Sequence, residues 1–198
     1  SLGTTGPATG PTAANPFVAN PIGDLSLMDI DTAMMAVQTR RADLIETQLK
    51  DQMTVIQSRN QDIELLNAAL SEIRRMRPNE TDKEVNLNEH QAIFSMPNDK
   101  LANGMENLKD PNASSTAVNT TGLLKCYGIF TERELKQGDI DQLIQRVTAK
   151  IDTLNSSQQM DMLRLQSLTN KRNEAYDVMS NFLKKSQDGR SNIVSNMR

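Results

Sequence analysis

The residue types that most often carry chemistry are sparse in this 198-residue chain. It has one histidine, His90, and one cysteine, Cys126. A metal site or a catalytic pair needs several such residues at a workable spacing, and a lone histidine in the polar stretch NLNEHQAIF is typical of a solvated side chain. No phosphate-binding loop, nucleophile motif or catalytic pair of carboxylates stands out either. The sequence therefore predicts no enzyme and no cofactor-binding or metal-binding residue.

Cys126 lies in the apolar run LLKCYGIF, near Leu124 and Tyr127. These surroundings favour a small buried hydrophobic residue over the alternative, a reactive thiol. A single cysteine excludes an internal disulfide bond. The eleven methionines are another feature of the chain. At helical spacing, methionines more often fill a core than line a promiscuous binding groove.

The overall composition does not favour a conventional compact enzyme. Only 3% of the residues are aromatic and tryptophan is absent, so the usual large side chains of a globular core are scarce. The net charge of -3 provides no basic surface for nucleic acid or for an anionic membrane. No apolar run approaches the roughly 18 residues that span a bilayer, and no signal peptide is recognisable. We expect neither a nucleic-acid partner nor a membrane span.

Glycine and proline divide the chain into four parts. Residues 1–23 hold four of the nine glycines and four of the seven prolines, which predicts a flexible tail. Residues 24–77 contain neither type, and apolar residues recur there at helical spacing, which predicts one long helix. Residues 78–138 are rich in asparagine and predict an irregular insert with small elements. Residues 139–198 return to helical periodicity and predict a second long helix.

Residue types at the predicted helix ends support this division. Arg74, Arg75 and Arg77 precede Pro78, which places positive charge and then a helix breaker at the end of the first helix. Asp139 is the predicted N-cap of the second helix. The short stretch TERELKQG just before it predicts one or two capped helical turns that end at its glycine.

The second predicted helix has a heptad pattern of apolar residues with three polar interruptions. Two of these, Asp161 and Arg172, leave two alternatives open: they pair between subunits, or they mark where the pattern drifts towards solvent. The full register is Ile140, Ile144, Val147, Ile151, Leu154, Gln158, Asp161, Leu165, Leu168, Arg172, Ala175, Met179 and Phe182.

The first predicted helix has a similar pattern with a shift of register in its middle, which resembles a stutter. Asparagines in the second half resemble polar core positions that set register. The first half is Ile30, Met34, Val37, Arg41 and Leu44, and the second half is Leu49, Met53, Ile56, Asn60, Ile63, Asn67 and Leu70.

These patterns predict a mainly α fold in which the two long helices form an antiparallel coiled-coil hairpin, with an irregular α(+β) insert between them. The apolar members of the two registers, from Leu49 in the first helix and from Ile140 in the second, form its intramolecular seam. A two-helix hairpin leaves other apolar residues uncovered. Copies of the chain, a partner helix or the insert folding back are the three candidates to cover them. These residues are Leu66, Ile73, Leu143, Met162, Leu163, Val178 and Leu183.

Both predicted helices resemble the filament and needle-tip proteins of type III secretion, in particular the EspA-like filament proteins. The similarity is carried by GDIDQLIQRVTAKIDTLNSSQQMDMLRLQSLTNKRNEAYDVMSNFLKK, from Gly138, and by DIDTAMMAVQTRRADLIETQLK, from Asp29 to Lys50. It implies a protein exported without a cleaved signal peptide, guided by its N-terminal segment, to the bacterial cell surface. It also implies a helical homopolymer that acts as a conduit, with a cytoplasmic type III chaperone before export and the needle subunit and translocator proteins as partners.

Residue roles follow from this hypothesis. We expect Met162, Val178 and Leu183 to meet neighbouring subunits, while the seam residues pack within the chain. The polar inner wall of such filaments implies that Asn173, Gln187 and Arg190 line a channel. Two alternative functions remain, a needle-tip cap that supports translocon assembly and a cytosolic coiled-coil adaptor or chaperone.

Overall fold

The computed structural model describes Gly3, residues 30–89 and residues 92–196, with the backbone alone at residue 186 and at 190–196. The predicted tail at 1–23, apart from Gly3, lies outside the described residues. So do His90 and the first six residues of the helix predicted at 24–77.

The described chain is mainly helical, with two long helices and a small insert of mixed structure between them. Helix α1 spans Ile30–Met76 and helix α3 spans Gln137–Asn196. The described residues of the insert form one short helix, four short strands and two 3-10 turns. In chain order these are β1 (Val85–Asn86), β2 (Ile93–Pro97), the 3-10 turns Asn98–Lys100 and Glu106–Leu108, β3 (Ser115–Asn119), α2 (Thr120–Cys126) and β4 (Glu134–Leu135).

The strands form two antiparallel pairs. Strand β2 pairs with β3, with Ile93 opposite Asn119 and Pro97 opposite Ser115. Strand β1 pairs with β4, which joins the beginning of the insert to its end. Proline has no N–H to donate to a ladder, so its place at the last position of β2 is one that a strand tolerates.

Helix α2 is defined by caps at both ends. The Oδ1 atom of Asn119 accepts a 2.8 Å hydrogen bond from the backbone N–H of Gly122. At the other end, Gly128 has a φ of 74°, and the N–H groups of Gly128 and Ile129 donate to the carbonyls of Lys125 and Leu124. This is a Schellman motif with glycine in the left-handed position that disfavours other residues.

Two predicted helix starts are corrected by the structure. The stretch TERELKQG does not form helical turns, because Glu134 and Leu135 pair with β1 as strand β4. Helix α3 begins at Gln137, so Asp139 lies in its first turn rather than at its N-cap. The Oδ2 atom of Asp139 accepts a 3.1 Å hydrogen bond from the N–H of Lys136, which is the side-chain half of a capping box.

The chain divides into two compact units. The first contains α1 up to Gln48 and α3 from Leu168 onwards. The second contains residues 49–167, which are the rest of both helices and the whole insert.

The second unit has the main hydrophobic core, in which the insert packs against both long helices. Leu66, Ile73 and Leu143, which we expected to lie outside the seam, are fully buried there. They belong to one hydrophobic cluster that also contains insert residues such as Leu87 and Leu123. The buried core residues are Leu66, Ala69, Leu70, Ile73, Met76, Leu87, Met96, Val118, Leu123, Leu124, Ile129, Leu135, Ile140, Leu143, Val147 and Ile151.

The first unit has a much thinner interior. Among its described side chains, those in the buried class are Ala42, Ile45 and Ala175. Polar contacts add to this packing: the hydroxyl of Tyr176 donates to Glu46 Oε1 at 2.8 Å, and Thr39 Oγ1 donates to Met179 Sδ at 3.3 Å. Two of the three buried side chains are alanines, so apolar burial contributes little stability here compared with the second unit.

Candidate functional site

The buried stripe of α1 follows one heptad register without the predicted shift. Every member is buried or partly buried, whereas Met53, which we assigned to the seam, is 51% exposed. The assignment of Met53 is therefore wrong, and Gln52 lies at the buried position instead. The sequence pattern was misleading here because the apolar Met53 directly follows the polar Gln52, and the buried stripe contains the polar residue of the two. The stripe is Met35, Gln38, Ala42 and Ile45 in the first unit, and Leu49, Gln52, Ile56, Arg59, Ile63, Leu66, Leu70 and Ile73 in the second.

The predicted register of α3 coincides with its less exposed face. Ile140, Val147, Ile151 and Ala175 are buried. The other nine members are partly buried, including Leu165, Leu168, Met179 and Phe182. The exposure pattern of α3 thus places its thirteen register positions on one side of the helix.

Polar side chains of α1 and α3 contact one another in the second unit. Arg59 Nε donates to Asp161 Oδ2 at 2.7 Å, and both side chains are largely shielded from solvent. Gln52 Nε2 donates to the backbone carbonyl of Asp161 at 3.1 Å. Gln158, about one turn before Asp161 on α3, donates through Nε2 to Oδ1 of Asn60, which directly follows Arg59 on α1. Asp161 therefore pairs within the chain, an arrangement that neither sequence-based alternative included.

A second stripe on α1 carries four exposed large apolar residues of the first unit. Ile30, Met34, Val37 and Leu44 repeat with the 4-3 spacing of a heptad, and the fractional exposure of Ile30 and Val37 is 73% and 64%. These residues form the first half of the register predicted for the first helix, but the adjacent stripe is the buried one. We call Ile30, Met34, Val37, Arg41 and Leu44 the outer stripe.

In the second unit, the α1 residues that continue the 4-3 spacing of the outer stripe are shielded from solvent. Val55 is still exposed, but from Ser58 onwards every position is partly or fully buried. Ala69 and Met76, which belong to this set, are part of the core that includes the insert. We call this set the covered stripe: Ser58, Asp62, Leu65, Ala69, Glu72 and Met76.

The predicted subunit-contact residues of α3 are accessible to different degrees. Met162 in the second unit and Leu183 in the first are 49% and 50% exposed, and Val178 is partly buried. Leu163 is also exposed. In the first unit, Leu183 joins Met35, Ala42, Tyr176 and Met179 along an open groove of about 370 Å³. Among the described side chains of the first unit, the outer stripe and this groove are accessible apolar surfaces.

The predicted channel-lining residues and Cys126 do not come together in one site. Asn173 and Gln187 are exposed, and the side chain of Arg190 is not described. Cys126 is partly buried with its Sγ 3.8 Å from Met105 Sδ. Within the described residues, no cluster of histidine, cysteine, aspartate and glutamate is arranged to hold a metal ion. The described helices include none that is long and apolar enough to cross a membrane.

Two hydrogen-bonded tyrosines link parts of the chain. The hydroxyl of Tyr127 donates to Asp62 Oδ1 at 2.8 Å, and burial together with this bond raises the pKa of Tyr127. The bond to Glu46 raises the pKa of Tyr176. Both phenols are therefore held in their neutral, donating form, which favours a structural role for them.

Comparison of the chain with protein-family models, with curated proteins and with solved structures finds no match.

Proposed function

We propose that this protein is the subunit of an extracellular type III secretion filament, which self-assembles through its two long helices into a conduit between the needle and the host membrane. The outer stripe carries this proposal. A heptad-spaced apolar stripe on a long helix is a surface that another helix covers. The resemblance of both helices to filament-forming secretion proteins supplies the biological setting.

In this proposal α1 and α3 form an antiparallel coiled-coil hairpin within each unit. Contacts in the second unit support it: Arg77 bonds to Asp141 at 2.6 and 3.1 Å, Arg59 to Asp161, and Gln158 to Asn60, so residue numbers rise along α3 as they fall along α1. Contacts in the first unit have the same order, since Glu46 meets Tyr176 and Thr39 meets Met179. Seam positions with 3-4 spacing on both helices complete the support.

A second copy of this chain is the proposed occupant of the outer stripe. Fully burying an aliphatic side chain contributes about 1.5–3 kcal/mol, so covering four half-exposed ones contributes on the order of 3–6 kcal/mol before the cost of association. One such contact is too weak to hold two molecules, but repeated contacts along a polymer add up. Met162, Val178 and Leu183 on α3 are the proposed counterparts in the neighbouring subunit.

The proposed partners are those of the secretion pathway. A cytoplasmic chaperone would cover the helices before export, and the needle subunit and translocator proteins would meet the two ends of the polymer. In this arrangement the polymer is a conduit, and the protein performs no catalysis.

Electron microscopy and sedimentation over a concentration series test the proposal. We expect regular filaments or large polymers that grow with concentration. The variant Val37→Asp/Leu44→Asp should stay small with unchanged helix content, while Met53→Asp, which changes an equally exposed residue outside both stripes, should still polymerise. A single small species of the unaltered protein at every concentration would refute the filament and favour a needle-tip cap or an adaptor.

A further inference from the structure

A carboxylate on α1 receives two bonds from separate parts of the insert. Asp62 accepts a hydrogen bond from the hydroxyl of Tyr127, which directly follows α2, and pairs with the ammonium group of Lys100, which ends the first 3-10 turn. Lys100 Nζ also donates to the carbonyl oxygen and the hydroxyl of Ser58, both at 2.8 Å. The side chains of Lys100 and Asp62 are only 13% and 20% exposed.

This group is more than a surface ion pair. All three donors of the Lys100 ammonium have acceptors on α1, and solvent shields the pair weakly, so loss of the Asp62 charge would leave a nearly buried cation with only two neutral oxygens. Tyr127 and Lys100 are 27 positions apart in sequence, and a single residue of α1 fixes both. We call Ser58, Asp62, Lys100 and Tyr127 the clasp.

The clasp is placed at the first turns of the covered stripe. Ser58 and Asp62 are the first two members of that stripe, and Ala69 and Met76 further along are buried in the core shared with the insert. Before Ser58, the nearest residue with the same spacing is Val55, which is exposed. The clasp thus binds the insert to α1 at the N-terminal end of the covered stripe.

We infer that the insert is an intramolecular cover, fastened by the clasp, which prevents the covered stripe of α1 from pairing with a helix of a second copy. The spacing identifies the excluded occupant, because the covered stripe continues the 4-3 spacing of the outer stripe along α1, and its apolar members Leu65, Ala69 and Met76 would be available to the same kind of helix. Covering it prevents association in a wrong register. The inference goes beyond the proposed function and does not require the filament to be of the secretion type.

The test uses a parent protein that carries Val37→Asp/Leu44→Asp. The clasp variant carries Asp62→Asn/Tyr127→Phe in addition, and the two proteins are compared. This background removes association through the outer stripe, so any new association has another origin. Hydrogen exchange reports on release of the insert, and sedimentation reports on association. Asp141→Asn is the matched control, because it removes one carboxylate of equal charge from the exposed pair with Arg77.

We expect backbone amides between residues 98 and 127 to exchange about tenfold faster or more in the clasp variant, and oligomers to form that the parent and Asp141→Asn do not form. Unchanged exchange would refute the clasp, and faster exchange in a protein that stays monomeric would refute the role of the insert as a cover. If the double change unfolds the protein, Tyr127→Phe alone retains the Lys100–Asp62 pair and should shift both measurements in the same direction by less.

A failure of the proposed function gives a different result. The unaltered protein, whose outer stripe is intact, would then show no polymers. The comparison between the clasp variant and its Val37→Asp/Leu44→Asp parent would remain valid at every concentration.

Discussion

Arg59 Nε on α1 lies 2.7 Å from Asp161 Oδ2 on α3, with the two side chains 24% and 13% exposed. A shielded ion pair contributes little net stability compared with apolar residues of similar size, but it is costly to break from one side. Its main effect is therefore on which register the two helices adopt, since a slip of either helix would leave one charge unpaired.

Breaking this pair from one side should destabilise the second unit. We expect Asp161→Ala to lower the free energy of unfolding by about 2 kcal/mol, because Arg59 loses its partner in a poorly solvated position. The double change Arg59→Leu/Asp161→Leu should be close to neutral or stabilising. Denaturant unfolding followed by circular dichroism measures both. Equal destabilisation in the single and double variants would show that the pair itself holds the helices together.

The α3 side of the proposed contact is tested by Leu183→Asp and Met162→Asp. Both residues are about half exposed, so a charge there costs the monomer less than about 0.5 kcal/mol. We expect polymerisation to require at least about tenfold more protein, because a charge desolvated in a contact is unfavourable. Light scattering with circular dichroism on the same samples provides the measurement. Loss of helix content would instead place these residues in the core of the protein.

Alkaline pH should weaken the fold through Tyr127. Its pKa is raised in the folded protein, so its contribution to stability is complete below the unfolded value of about 10 and is lost as the pH rises beyond it. We expect the unfolding free energy of the parent to fall between about pH 10 and 11, and to fall less steeply in Tyr127→Phe. Absorbance of the phenolate should show late ionisation of this tyrosine. Identical slopes in the two proteins would contradict the assignment.

Replacement of Gly128 should weaken the end of α2. Its φ of 74° is strained for a residue with a side chain, so Gly128→Ala should cost about 1 kcal/mol. Open space surrounds the added Cβ, so the cost has no steric component from neighbours. Gly128→Asn should cost less, because asparagine tolerates this conformation. Thermal unfolding compares the two, and equal effects would argue against backbone strain as the cause.

Replacement of Gln38 by leucine should stabilise the first unit. Its Oε1 atom is buried without a hydrogen-bond partner, at a position in the buried stripe of α1. Gln38→Leu should therefore raise the free energy of unfolding by about 1 kcal/mol. The control is Gln48→Leu, at an exposed position, which should change stability by less than about 0.5 kcal/mol. A loss of stability in Gln38→Leu would show that the amide has a structural role.

Sequence by itself determined the two long helices and the register of α3. Long stretches without glycine or proline and a sustained heptad pattern are local properties, so they are visible without knowledge of the fold. Ten of the thirteen register positions from Ile140 to Phe182 are apolar, which makes the pattern visible although Leu143, Met162, Leu163, Val178 and Leu183 lie outside it.

Only tertiary structure decided which stripe of α1 is buried. Ile30, Met34, Val37 and Leu44 are more apolar than the neighbouring set that includes Gln38 and Gln52, so hydrophobicity alone favoured the exposed stripe. Gln52 and Arg59 are accepted in the seam because Asp161 provides bonding partners from α3. Partners more than a hundred positions away are invisible to a local pattern.

Tertiary structure also decided the role of the insert. Its strands are two to five residues long, too short to leave a clear period in the sequence, and β1 and β4 pair across the whole insert. Its apolar residues gain a role only when α1 and α3 supply the other side of the core. Leu66, Ile73 and Leu143 are fully buried in the core that α1, α3 and the insert share, because a helix displays an apolar stripe in its sequence but the rest of the fold decides whether that stripe is covered.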